Sequence, residues 1–199
     1  EWVDKGEAWA QTMMGQWYYG GKHGLKQSYV MALMLFEKAV AQGDPAAMFE
    51  LALLYRNGQG VEQSDEKAVE LYTMAAEHGH VGAMYNLGCL YRDGQGVVQS
   101  LKKAVELFTR AAEQGQLNAM NSLGLLYLKG QGVAQSNELA REWFTKAANE
   151  GEKTAIKALK LLDELEGKPK TAPPTATAPP PPVCCSSCNK PQPSGHTFR

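Results

Sequence analysis

The chain has 199 residues, 44% of them apolar and 21% charged, with a formal net charge of −1. That length allows one or two domains, and the composition is ordinary for a globular protein. With 20 Lys and Arg against 21 Asp and Glu there is no basic stripe for nucleic acid and no polybasic face for a membrane, and the longest apolar run, Tyr29 to Phe36, is far too short to span a bilayer.

The chain opens at Glu1-Trp2 without an initiator Met or a signal-like start, and it reads as a fragment of a longer protein. Residues 1–43 are a worn copy of a unit that recurs along the chain. Gly15 holds a small-residue position, Tyr18 an aromatic one, and the turn "YYGGKHGLKQS" is one residue longer than its counterparts. The repeat itself is written in columns 36 residues apart: Gly43, Gly79, Gly115 and Gly151; Ser28, Ser64, Ser100 and Ser136; Ala47, Ala83, Ala119 and Ala155; Leu51, Leu87, Leu123 and Leu159. A fixed period of this length is the mark of a stacked array.

Residues 44–79 give the unit in full. Asp44-Pro45 supplies an N-cap and a first-turn proline for a helix A, whose apolar stripe is Ala47, Leu51, Leu54 and Tyr55. Ala52, matched by Gly88 and Gly124, is small enough to let a neighbouring helix backbone approach. Ser64 caps a helix B with the stripe Ala68, Leu71, Tyr72 and Ala75, and Gly79 ends it. Neither helix buries its stripe alone, so stability comes from stacking successive pairs. Residues 80–115 and 116–151 repeat the unit. In 152–167, Ala155 and Leu159 persist, but Lys160 and Asp163 replace the small and aromatic residues, which predicts a capping helix with one polar face.

Between helices A and B stand "YRNGQGVEQS", "YRDGQGVVQS" and "YLKGQGVAQS". The two glycines could suit a phosphate loop. They follow a helix rather than a strand, and Gln99 occupies the final glycine position of a dinucleotide fingerprint, so they read as a tight turn with positive backbone angles. An anion at the following helix N-terminus stays open, as at any such end. His78 and His80 flank the helix-ending Gly79, where a cation would favour the helix dipole.

The columns Ala83, Leu87-Gly88, Tyr91, Gly94, Gly96-Val97, Lys103-Ala104, Leu107-Phe108, Ala111-Ala112 and Gly115 resemble the Sel1-like repeat, a cousin of the tetratricopeptide repeat. The units before and after match in the same columns, with Ser at the helix B cap where the family usually has Asp and Leu139 in place of Lys. The resemblance covers roughly residues 10 to 165 and implies an all-α fold, a right-handed α/α superhelical solenoid followed by a disordered Pro-rich C-terminal tail. It also implies an adaptor that binds a protein partner, a peptide or a helix, in a groove lined by the A helices. Off the packing stripe, Phe49, Leu53 and Arg56 form one row, continued by Tyr85, Cys89 and Arg92 and by Asn121, Leu125 and Leu128, with Glu50, Asn86 and Ser122 beside them. Aromatic, polar and basic groups of this kind make anchored interfaces. Phe49 and Tyr85 can equally complete the packing between A helices. A monomeric solenoid is expected, and it needs no cofactor.

Residues 168–183 change character, with prolines at 169, 173, 174 and 179–182, and read as an extended linker; the P-x-x-P of Pro179 and Pro182 is a weak ligand motif. At 184–199 the Cys185-Ser186-Ser187-Cys188 spacing fits two zinc ligands. "CCSSCNKP" resembles the first knuckle of a MYND-type zinc finger, which implies Cys185 and Cys188 as the first two ligands and the rest beyond Arg199. A disordered tail with incidental thiols is the alternative. The scarcity of cysteine elsewhere, with Cys89 alone in the first 160 residues, favours a reducing compartment, cytoplasmic or nuclear. No catalytic constellation recurs, so a non-enzyme is expected. Two other readings stay open: a regulatory arm of a larger enzyme or ubiquitin-ligase complex, and, remotely, a β-lactam-binding hydrolase. The latter would draw on the S-x-x-K spacings of Ser64 with Lys67 and Ser100 with Lys103, both also explained by a cap followed by the repeat's lysine.

Overall fold

Helix boundaries follow from the punctuation of the repeat. In the computed structural model, which describes residues 6–165 and Gly167, the described residues form nine helices and no strand: α1 (Ala8–Gly20), α2 (Tyr29–Val40), α3 (Pro45–Asn57), α4 (Asp65–Glu77), α5 (Val81–Asp93), α6 (Leu101–Glu113), α7 (Leu117–Lys129), α8 (Asn137–Asn149) and α9 (Lys153–Leu165). Ser28, Ser64, Ser100 and Ser136 each accept a hydrogen bond from the backbone N–H three residues on, at 3.2–3.4 Å. This satisfies a donor that a helix start leaves orphaned. Asp44 does the same for Ala46 at 3.0 Å, ahead of Pro45. The linker 168–183 and the cysteine segment 184–199, with Cys185 and Cys188, lie outside the described residues.

Each helix packs on the one before and the one after it, most closely within the pairs α1/α2, α3/α4, α5/α6 and α7/α8. The result is a right-handed α/α solenoid held by nearest-neighbour interfaces. Its interior is made of columns of alanine, leucine and methionine with one aromatic ring per repeat. Ala32, Ala68, Ala104 and Ala140 are fully buried, as are Ala39, Ala75, Ala111 and Ala147. So are Phe36, Tyr72, Phe108 and Phe144, again 36 residues apart. Alanines bring two helices close, and the ring fills the space they leave.

The small-residue column serves that ring. A Cβ built on Gly88 would stand 2.7 Å from the Phe108 ring, and on Gly124 or Gly15 it would stand 2.5 Å from Phe144 or Phe36. The approach is therefore that of an aromatic edge from the same repeat, not of a neighbouring backbone as expected. The turn glycines do have positive φ, 69° at Gly94 and 65° at Gly96. The second glycine has a further duty. A Cβ on Gly60 would lie 2.8 Å from the Tyr29 backbone, and one on Gly132 2.8 Å from the Leu101 backbone; Gly96 abuts the backbone of Asp65 in the same way. Each turn thus rests on the start of the preceding repeat's helix B.

Two further expectations are corrected. His80 does not act as a cation at a helix end. It is the N-cap of α5, and its Nδ1 accepts from the Ala83 N–H at 3.1 Å. An acceptor there must be unprotonated, and the positive end of the dipole faces it. Asp163 is not on a polar, solvated face of α9. It is buried, 2% exposed, and paired with Arg141 of α8 at 2.6 Å. In the inner repeats its column holds Tyr55, Tyr91 and Tyr127. The chain therefore closes this end with a buried ion pair in place of a ring.

Candidate functional site

The A helices α1, α3, α5 and α7 carry two sets of columns. The packing columns repeat one residue type: Ala47, Ala83 and Ala119, then Leu51, Leu87 and Leu123, all buried. The columns beside them differ from repeat to repeat: Phe49, Tyr85 and Asn121; Glu50, Asn86 and Ser122; Leu53, Cys89 and Leu125; Arg56, Arg92 and Leu128. Most of these are half-buried, Cys89 is buried and Leu125 is exposed. The structure brings them to one side of the stack, joined from helix to helix by polar contacts.

Three of those contacts cross repeats. Gln16 Nε2 donates to Glu50 Oε1 at 2.7 Å, linking α1 to α3. Asn86 Nδ2 donates to the Tyr72 hydroxyl at 3.1 Å, linking α5 to α4. Asn121 Nδ2 donates to the Thr154 hydroxyl at 2.5 Å, linking α7 to α9. Cys89 on the same helix and Ser122 on α7 lie beside the Tyr85 hydroxyl. Arg92 forks onto Asp93, Nε to Oδ1 at 2.7 Å and Nη2 to Oδ2 at 2.8 Å, in a pair about two-fifths exposed at each side chain.

Burial sets the protonation of this side. It pushes the Tyr72 hydroxyl up to about 12, against the pull of Asn86 and Arg56, so the phenol stays neutral. Burial raises the Glu50 carboxyl, opposed by Gln16, and raises the Cys89 thiol, opposed by Arg92 and Tyr85. The Arg92 guanidinium holds Asp93 below the usual carboxylate range. Burial lowers His80, as its role as an unprotonated acceptor requires. A raised, buried thiol is a poor nucleophile. Among the described residues no cluster of three or more His, Cys, Asp or Glu could hold a metal, and no helix is long and apolar enough to cross a membrane.

Phe49 and Tyr85 are less alike than their shared column implies. Phe49 stacks on the His80 ring with centroids 4.5 Å apart and meets Tyr72 at 5.8 Å, so much of its ring is spent between repeats. Tyr85 leans on Phe108 at 5.7 Å and turns its hydroxyl to the polar row. Beyond Arg92 and Ser122 the row runs into a depression of about 440 Å³ between the ends of α5 and α7, where Leu125, Lys129 and Gln131 join the lining. Sequence reasoning missed Tyr72 here, although a signal existed: it is the one hydroxyl in a column otherwise made of Phe36, Phe108 and Phe144. His80 and Thr154 carried no comparable mark.

The serine–lysine spacings serve the fold. Ser64 and Ser100 are spent as helix caps, while Lys67 and Lys103 lie over the rings of Tyr55 and Tyr91, 4.8 and 4.9 Å from their centroids.

The Sel1 repeat family model matches residues 10–44, 45–80, 81–116 and 117–152. Among solved structures the chain is similar to a Sel1 repeat protein from Oxalobacter formigenes, with 30% identity and a TM-score of 0.78 over 83% of this chain and 66% of that one. It is also similar to c5321, a protective antigen present in uropathogenic Escherichia coli strains displaying an SLR fold, with 29% identity and a TM-score of 0.80 over 82% of this chain and 35% of that one. An immunity protein from Pseudomonas aeruginosa, Pa5087, aligns at 28% identity with a TM-score of 0.55, over 79% of this chain and 59% of that one. The chain thus spans just under two thirds of the first of these and about a third of the second. No curated protein matches it.

Proposed function

The chain belongs to the Sel1 repeat family, and we propose that its A-helix side is a concave surface that binds a peptide or helix of a protein partner. Sel1 repeat proteins serve in general as protein-interaction scaffolds. One observation carries the finer reading. On each A helix the buried columns are uniform, while the half-exposed columns change from Phe49 to Tyr85 to Asn121, from Glu50 to Asn86 to Ser122 and from Arg56 to Arg92 to Leu128. Packing needs only uniformity, whereas reading a partner needs a different group at each step along it. Arg56, Arg92 and Lys129 stand in the last turns of α3, α5 and α7, which favours a partner with carboxylates at one edge of an otherwise mixed contact.

Displayed peptides panned against the full chain are the test. Replacing Tyr85 and Arg92 together with Ala should weaken the selected peptides by ~10-fold or more, with helical signal and unfolding temperature close to wild type. A large loss of helicity would assign both residues to the core. Undiminished binding would remove this side from the function. The proposal extends to a non-enzyme in a reducing compartment, cytoplasmic or nuclear, and to Cys185 and Cys188 as zinc ligands. A role as the regulatory arm of a larger enzyme keeps the same surface and differs only in what it is joined to.

A further inference from the structure

Of the four rings buried one to a repeat, a single one carries a hydroxyl. Phe36, Phe108 and Phe144 fill their repeats without a polar atom, whereas Tyr72, equally buried, brings one inside. Burying a hydroxyl costs free energy unless a hydrogen bond takes it up. Here Asn86 Nδ2 of α5 takes it up, at 3.1 Å. A second departure falls in the same repeat. The small column holds Gly15, Gly88 and Gly124 elsewhere but Ala52 in α3. A Cβ on those glycines would stand 2.5, 2.7 and 2.5 Å from the ring each one faces, closer than a real side chain tolerates. Ala52 does carry a Cβ, so the Tyr72 ring cannot press on its own helix A as its sisters do, and its hydroxyl meets the next one.

Packing does not require this bond. Helix α6 lies as close to α7 as α4 does to α5, and there the ring is Phe108 and the residue in the Asn86 column is Ser122. Nor does the helix favour Asn86, since asparagine is a poor residue for a helix interior. What the bond does fix is a half-buried member of the columns that vary along the A-helix side. Arg56 of α3 lies beside the same hydroxyl, and Phe49 of α3 meets the Tyr72 ring with centroids 5.8 Å apart. Groups from two successive A helices thus converge on one residue of the helix B between them. Burial keeps the phenol neutral, so this hold does not titrate near neutral pH.

We propose that Tyr72 is a positioning residue of the partner-binding side: its buried hydroxyl holds the Asn86 amide in one orientation, beside Arg56, for contact with the bound peptide or helix. This role presupposes a partner on the A-helix side and adds to that reading a residue the partner never touches. An amide free to turn must be ordered when the partner arrives, whereas a held one is already in place.

The experiment uses the full chain and a fluorescein-labelled peptide taken from panning on the wild type. Tyr72→Phe installs the residue of the three sister columns, so helical signal and unfolding temperature should stay close to wild type. The peptide should bind this variant more weakly by ~5–10-fold. Asn86→Ala should weaken it at least as much, and Tyr72→Phe added to Asn86→Ala should cost less than ~2-fold more. Without peptide, the Asn86 side-chain amide followed by NMR should lose order in Tyr72→Phe and exchange its protons faster with water. A peptide that needs Tyr85 and Arg92 yet binds Tyr72→Phe as it binds the wild type overturns the positioning role and leaves the A-helix reading standing. So do effects of Tyr72→Phe and Asn86→Ala that simply add, or an Asn86 amide as ordered in the variant as in the wild type. A Tyr72→Phe chain that loses helicity would make the bond a structural one and overturns the role as well. Panning that yields no peptide, or only peptides indifferent to Tyr85 and Arg92, removes the reading together with the role.

Discussion

The two ends of the solenoid solve one problem in opposite ways. The first and last repeats differ from the inner ones in what they bury and in what they expose. At the α8/α9 end the chain buries Asp163 against Arg141 in a column where the inner repeats have half-buried tyrosines, and α9 exposes Lys153, Lys157 and Lys160. At the α1/α2 end it keeps a half-buried tyrosine, Tyr18, in that column and makes the outer columns of α2 apolar. One end is sealed from within and the other exposes apolar side chains. Uniform inner repeats supply the reference that makes both departures visible.

The largest expected effect lies between the ends. Phe108→Ala empties a fully buried site and should destabilise by about 3–5 kcal/mol in urea unfolding. Phe36→Ala removes the same ring from the same column in the first repeat. Its effect on global unfolding should be smaller, because an end repeat can fray while its neighbours hold. Equal losses would mean that the stack unfolds only as a whole.

Next comes the sealed end. Asp163→Ala leaves the Arg141 guanidinium facing a buried void, and since that side chain is a quarter exposed and can turn to water, the expected loss is about 2–3 kcal/mol. Hydrogen exchange should place it in α9 and the first half of α8, where Arg141 lies, with α1 to α4 unchanged. Protection lost evenly along the chain would contradict a solenoid of local interfaces.

A pair of glycines isolates the contact between repeats. Gly96→Ala must hold an L-residue at a φ of 65° and also push a Cβ into the Asp65 backbone. Gly24→Ala carries the first burden, at a φ of 81°, without the second. The former should cost about 2–3 kcal/mol and the latter about 1 kcal/mol. Were Gly24→Ala as damaging as Gly96→Ala, something in solution would already be resting on Gly24.

The period, the paired helices, the serine caps and the turn glycines are all readable in the sequence, because each is a local rule repeated on a fixed stride. What escaped were the interactions between strides. The Gly88 column pointed to close packing without saying that Phe108 fills it, since 20 residues separate them. The second turn glycine looked like a backbone-angle requirement alone, because its other partner, Asp65, belongs to the previous repeat. Asp163 looked like a solvated carboxylate, and only its partner on α8 explains its burial. Phe49 in the candidate site was ambiguous for the same reason, as its stacking partner His80 begins the next helix A. The exposed methionines of α2 lay in plain view in the longest apolar run, but an apolar helix at the edge of an array differs from a buried one only by comparison with its siblings.

The smallest effect concerns the one cap in the stack that can titrate near neutrality. His80 holds the α5 N-terminus through an unprotonated Nδ1, stacks on Phe49, and sits where α3 has Asp44. Burial keeps its folded pKa below the ordinary imidazole value near 6.5, with Asp44 and the local backbone opposing. As pH falls, the unfolded chain therefore binds this proton before the folded one does. The contribution is complete above about pH 6.5 and is lost as the medium becomes more acidic. Asn caps a helix start without titrating, so His80→Asn is the comparison to make. The two unfolding temperatures should agree most closely near pH 7.5, and the wild type should fall behind by about pH 5. Curves that stay parallel would mean that folding does not disfavour protonation of His80, and the α3–α5 junction would then be no more acid-sensitive than the serine-capped starts of the B helices.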